Sequence, residues 1–153
     1  MAISNREGQE RILEDLGVAV ESLALALAAL GEAYEAVSVT AADRLEETIY
    51  GPVQRAYGRA MRAHATFARA HGFEVRSFEP PSGSGPRSQG PRGYVERATE
   101  AVATADARIS ELQDSMMPTE FGDADLRAGL VEVRGLLDGL KGAAREFLRT
   151  LGR

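Results

Sequence analysis

Four residues with chemically useful side chains recur every seven positions: Tyr50, Tyr57, His64 and His71. Both histidines of the chain and two of its four tyrosines lie on this one stripe. Phenols and imidazoles at that spacing share one face of a helix and could line a site for a small molecule or cofactor. They suit a metal poorly, because residues seven apart sit two turns from each other, roughly 10 Å along the axis. A di-metal carboxylate bundle needs a Glu-x-x-His pair on each of two helices. Here Met61 and Ala68 stand three residues before the histidines. Haem ligation by one histidine has no attachment motif to support it. The plainer alternative makes the stripe a boundary, with ring bodies packed inward and polar tips in water.

Other chemistries fail on residue type. The chain has no Cys, which excludes disulfides, thiolate metal sites, iron–sulfur clusters and a cysteine nucleophile. It has no G-x-S-x-G element. Its Ser82-Gly83-Ser84-Gly85 run lacks the G-K-[ST] of a phosphate loop. Glu46 and Glu47 are adjacent, so on a helix they do not share a face. The expectation is therefore a non-enzymatic protein with no catalytic residues, no metal and no cofactor. A ligand site, if there is one, lies at Tyr50, Tyr57, His64 and His71.

The charge balance narrows the partners. In 153 residues there are 18 basic and 23 acidic side chains, for a net charge of -5, which argues against neutralising many phosphates. Arg76, Arg87 and Arg92 form only a weakly basic stretch, without the stacking aromatics of an RNA module. Nucleic acid is not an expected partner. The opening MAISNREGQER is mixed in charge with no apolar run beside it, so it does not resemble a signal peptide. The most apolar stretch, 16–30, carries Glu21 and falls short of the ~20 residues of a bilayer span. No membrane role is expected, and the cytoplasm is the default location.

The elements that must position the stripe are helices. Ser4-Asn5-Arg6-Glu7 is a capping box. Leu13, Leu16, Val20, Leu23, Leu27, Leu30, Tyr34 and Val37 then alternate in steps of three and four, a sustained heptad seam. A second segment, opening near Thr40 with Asp43, carries Ile49, Val53, Ala56, Ala60, Ala63, Phe67 and Ala70. Its start departs from the heptad, since Leu45, Ile49 and Val53 are two steps of four. Gly51-Pro52 sits there, and a kink or break is expected. Gly72 closes the segment. A third seam runs Val95, Ala98, Val102, Ala105, Ile109, Leu112 and Met116, stopping at Met117-Pro118. A fourth runs Leu126, Leu130, Val133, Leu137, Leu140, Ala144, Phe147 and Leu151.

These seams predict an all-α fold: an antiparallel four-helix bundle in a single domain, 1–153, with helices near 5–38, 41–71, 93–117 and 123–151. Two long hairpins are joined by the Pro/Gly/Ser-rich linker 72–92. A linker of that length is either mobile or a crossover running the length of the bundle. Whether the hairpins close within one chain or between two is left open.

Flanking positions add detail. Gly17, Ala24 and Gly31 lie on one side of the first seam, and Ile12, Ala19, Ala26 and Ala33 on the other. The first helix should therefore be the most buried, and the first two helices should approach closely. On the fourth helix Arg127, Arg134 and Lys141 face possible partners in Glu100, Asp106 or Glu111. The stretch Leu137-Asp138-Gly139-Leu140-Lys141-Gly142-Ala143-Ala144 resembles the H-x-L-K-G-A-A motif of histidine phosphotransfer domains, which are also helical bundles. Asp138 stands where that family's phosphorylated histidine would be, so the resemblance implies no site here. The pattern as a whole favours a protein that works by self-association or by binding a protein partner. A small-molecule site beside the Tyr/His stripe, near Gly51-Pro52, is the alternative.

Overall fold

The computed structural model describes residues 3–79 and 90–151. Its helices are α1 (Asn5–Ala36), α2 (Val39–Leu45), a π-helical turn (Glu46–Tyr50), α3 (Gly51–Ala70), α4 (Gly90–Asp114), α5 (Met117–Glu120), α6 (Ala124–Leu137) and α7 (Leu140–Leu151). There is no strand among the described residues. The chain forms the all-α bundle that its seams predict. One continuous core runs from Ile12 of α1 to Phe147 of α7, so the four helical arms close around it within one chain.

α1 packs most extensively on α4 and also on α3; α3 packs on α6; α4 packs on α6 and α7. Each arm is antiparallel to its two neighbours. His64 and His71 of α3 reach Leu13 and Gln9 near the start of α1. Arg108 of α4 meets Asp15 near that same end, and Arg92 meets Leu148 at the other. So α3 and α4 are parallel, and Gly72 and Gly90 lie at opposite ends of the bundle. The linker thus joins opposite ends of the bundle. Its residues 80–89 lie outside the described residues.

Ends and breaks follow local chemistry. Ser4 caps α1 by accepting from the Glu7 amide at 3.1 Å. Ser38, not Thr40, caps the second arm, accepting from the Ala41 amide at 3.2 Å. The expected break at Gly51-Pro52 is instead absorbed by the π turn. The Gly51 amide bonds to the Glu46 carbonyl five residues back. Pro52 has no amide hydrogen to continue the normal ladder. The wider turn also takes up the extra residue in the two steps of four, so Leu45, Ile49 and Val53 all stay buried. α4 ends at Asp114, short of Met117. Met116 then adopts a left-handed φ of 66° and is exposed, and Pro118 opens the single turn of α5 rather than only ending a helix.

Two expectations need correction. Of the expected seam of α1, Leu16, Val20, Leu23 and Leu30 are fully buried, but Leu13, Leu27 and Tyr34 are only partly buried or exposed, so the buried face is shifted from the seam. It is Ile12, Leu16, Ala19, Leu23, Ala26, Leu30 and Ala33, all fully buried. The helix is rotated so that its small residues face inward between two neighbours, while the large ones shield the edges. Close packing of α1 serves α4 more than α3. The fourth arm is not one helix: Asp138 is extended (ψ 136°) and Gly139 has φ 77°, which separates α6 from α7. Leu137 and Leu140 nevertheless both remain buried.

By length and composition α1 could cross a membrane, contrary to the shortness expected of its apolar stretch. Most of that stretch is buried inside the bundle, and one such helix near the N-terminus is weak evidence for a span.

Candidate functional site

The Tyr/His stripe lies along the contact between α3 and α1. Its members meet the very positions where α1 has small residues. A Cβ on Gly17 would fall 3.8 Å from His64 Nε2, and one on Gly31 would fall 3.4 Å from the Tyr50 hydroxyl. Ala24 stands midway between those two glycines in sequence, as Tyr57 stands midway between Tyr50 and His64. Large side chains on one helix thus occupy the room that small ones leave on the other. Signals for both halves are present in the sequence, but periodicity alone does not pair them.

Each stripe residue has a distinct environment. The Tyr50 ring is half-buried and tilted against Tyr34, with centroids 6.0 Å apart. Burial, and then Glu46, Glu35 and Tyr34, push its phenol pKa up, so it stays a neutral hydrogen-bonding group. Tyr57 is half-buried against the core. His64 is almost wholly buried at 4% exposure. Its Nε2 lies 3.1 Å from the Leu13 carbonyl, which accepts only, so Nε2 carries the hydrogen. Its Nδ1 is buried without a hydrogen-bond partner among the described residues.

His71 closes the end of the bundle. Its Nε2 is 2.8 Å from Asp123 Oδ2, and its Nδ1 is 3.3 Å from Gln9 Nε2. With Nε2–H donating to the carboxylate, Nδ1 accepts from the Gln9 amide. Asp123 also caps α6, accepting from the Leu126 amide at 2.8 Å. Burial works to raise the Asp123 pKa, but the Leu126 amide, the His71 ring and Arg127 outweigh it and hold the carboxyl below its usual range. This Asp–His pair ties the end of α3 to the starts of α6 and α1. The stripe therefore acts as a row of separate contacts, and among the described residues no group of three or more His, Cys, Asp or Glu side chains is placed to hold a metal.

A different surface stands open. Between α4 and the α6–α7 break lies a groove of about 360 Å³. Val102, Leu137 and Leu140 form its apolar floor, with Thr99 and Ala103 on the α4 wall. Glu96, Glu100, Asp106 and Lys141 rim it, three carboxylates to one ammonium. Asp106 is held by Arg134 at 3.0 Å and Glu96 by Arg92 at 3.7 Å. Glu100 makes no ion pair among the described residues. The sequence signal for this groove is Asp138-Gly139, a turn dipeptide inside an otherwise unbroken heptad. A second groove, between α3 and α6, carries Arg55, Arg59 and Arg62. There Arg59 pairs with Glu132 across the two helices.

The chain matches no protein-family model, no curated protein and no solved structure.

Proposed function

We propose that this protein is a non-enzymatic bundle that works by association, seating an apolar segment flanked by basic residues from a protein partner in the groove between α4 and α7. The observation that carries this reading is the groove's composition: an aliphatic floor beneath a rim of three carboxylates, of which Glu100 has no ion pair among the described residues. An aliphatic anchor gains roughly 1.5–3 kcal/mol on full burial, and flanking cations complement the carboxylates. The four heptad seams support the same reading. A second copy of the chain is one such partner, and a cytoplasmic location accords with it, supported by the burial of most of the apolar stretch of α1.

Sedimentation velocity over a wide concentration range tests the self-association form. The expected result is a concentration-dependent dimer that Ala103→Arg, on the groove wall, shifts back toward monomer. A dimer indifferent to that substitution would place the interface elsewhere. A monomer at every concentration would leave only a different protein as partner.

A further inference from the structure

After Gly72 the chain turns back along the bundle and lies over the contact between α1 and α3. Phe73 sits beneath the Arg6 guanidinium at 4.1 Å. Arg76 binds Glu21 of α1 at 3.1 Å and stacks on Phe78 at 4.4 Å. The Phe78 ring meets the His64 ring edge-on at 5.0 Å. Gly17 makes room for this layer, since a Cβ there would lie 2.8 Å from Arg76 Nη1. Apart from the Phe73 amide, which bonds to the Ala68 carbonyl at 2.8 Å, side chains hold the segment.

We propose that residues 73–79 form an acid-released strap whose latch is His64. The latch works only with a neutral ring. Because Nε2–H is committed to the Leu13 carbonyl, an added proton goes to Nδ1. That nitrogen is buried with no acceptor among the described residues, so the new N–H and its charge are left uncompensated. The charged groups facing the ring do not relieve this. From the strap comes Arg76, a like charge; from α1 comes Glu21, already engaged by Arg76; on α3 itself, His71 is held by Gln9 and Asp123 two turns away. The way to solvate a protonated His64 is to lift Phe78 and Arg76 off it.

The direction of the effect follows. Burial, and then Arg76, lower the His64 pKa against the raising effect of the Leu13 carbonyl. With the strap lifted the ring is an ordinary imidazole that protonates near pH ~6.5. The open form therefore binds the proton more tightly. Closure is fully favoured above that pH and weakens as the pH falls below it, by up to about tenfold in the open-to-closed ratio per pH unit. The neutral ring's contribution to closure is fully lost once the pH passes below the lowered value of the strapped ring.

The absence of native cysteine allows a direct test. Spin labels are placed through Ser77→Cys on the strap and Arg62→Cys on α3, both exposed positions. The distance between them is then measured in the full chain from about pH 7.5 to about pH 4.5. The expected result is a single narrow distance at the upper pH and a broad one at the lower. His64→Leu should keep the narrow distance throughout, while His71→Leu and Glu21→Gln should still release. In the parent chain the midpoint of release should coincide with titration of the His64 ring read from its carbon shifts, a comparison that needs no folded variant. A narrow distance at every pH, release that persists in His64→Leu, or two separate midpoints would overturn the proposal.

Discussion

The contact between α1 and α3 and the contact between α4 and the last two helices flank seams of the same period, yet one is closed and the other open. At the first, Gly17 and Gly31 receive His64 and Tyr50, and Phe78 covers what remains. At the second, Leu137 and Leu140 still face the core, but the backbone between them turns aside at Asp138-Gly139 and uncovers a groove. The difference shows that a heptad seam fixes which side chains point inward and leaves open whether the edges seal. Sealing depends on paired side-chain sizes across the interface and on unbroken backbone. The closed contact is accordingly where this molecule stores structure, and the open one is where it offers surface.

Substitutions at the two places should separate accordingly. Ala60 is fully buried in the α3 seam. Ala60→Leu should destabilise by about 1–3 kcal/mol through overpacking, measured by urea unfolding. The same change at the exposed Ala103 on the groove wall should move stability by no more than about 0.5 kcal/mol. Equal effects would erase the distinction drawn here.

At the end of the closed side, His71→Ala removes a ring that bonds both Asp123 and Gln9. A loss of about 1–2 kcal/mol is expected, with faster amide exchange in the first turn of α6. A variant as stable as the parent would make that link incidental. The Asp123 carboxyl is held below its usual range by the Leu126 amide, the His71 ring and Arg127 despite burial. Its stabilising contribution should be complete above the unfolded value near pH ~3.9 and be lost as the pH falls through the lower folded one. Asp123→Asn should flatten that part of the acid limb, and an unchanged limb would contradict the assignment.

Smaller still is the effect expected where α4 gives way to α5. Met116 is exposed in a left-handed conformation. Met116→Gly should raise stability by about 0.5–1 kcal/mol, since glycine adopts that conformation without steric cost. A loss of stability would mean the side chain has a packing role its exposure does not suggest.

Much of this molecule was legible in the order of its residues. The seams of α3, α4 and the fourth arm are buried nearly residue for residue, because a period of three and four can only face one way. Even the two steps of four at Leu45, Ile49 and Val53 carried their meaning: one residue too many, taken up by a π turn at Pro52. The rotation of α1 was not legible, since Leu-rich and Ala-rich stripes lie side by side and only contact with two neighbours selects the smaller. The break at Asp138-Gly139 was hidden by the seam that continues across it. The Tyr/His stripe was visible as a pattern, but its partners, Gly17, Gly31 and Phe78, come from two other parts of the chain. Short-range spacing says nothing about which parts fold together.

The proposal that the open groove, rather than the Tyr/His stripe, takes an apolar, basic-flanked protein segment has one direct test. The direct measurement is a titration of the isotopically labelled chain with two synthetic helical peptides, each bearing a central leucine, one flanked by arginines and one by glutamates. The account predicts amide shifts confined to Thr99, Ala103, Gly139 and Lys141 with the arginine peptide, and none with the glutamate peptide. Shifts along Tyr50, Tyr57, His64 and His71, or no shift with either peptide, would contradict it.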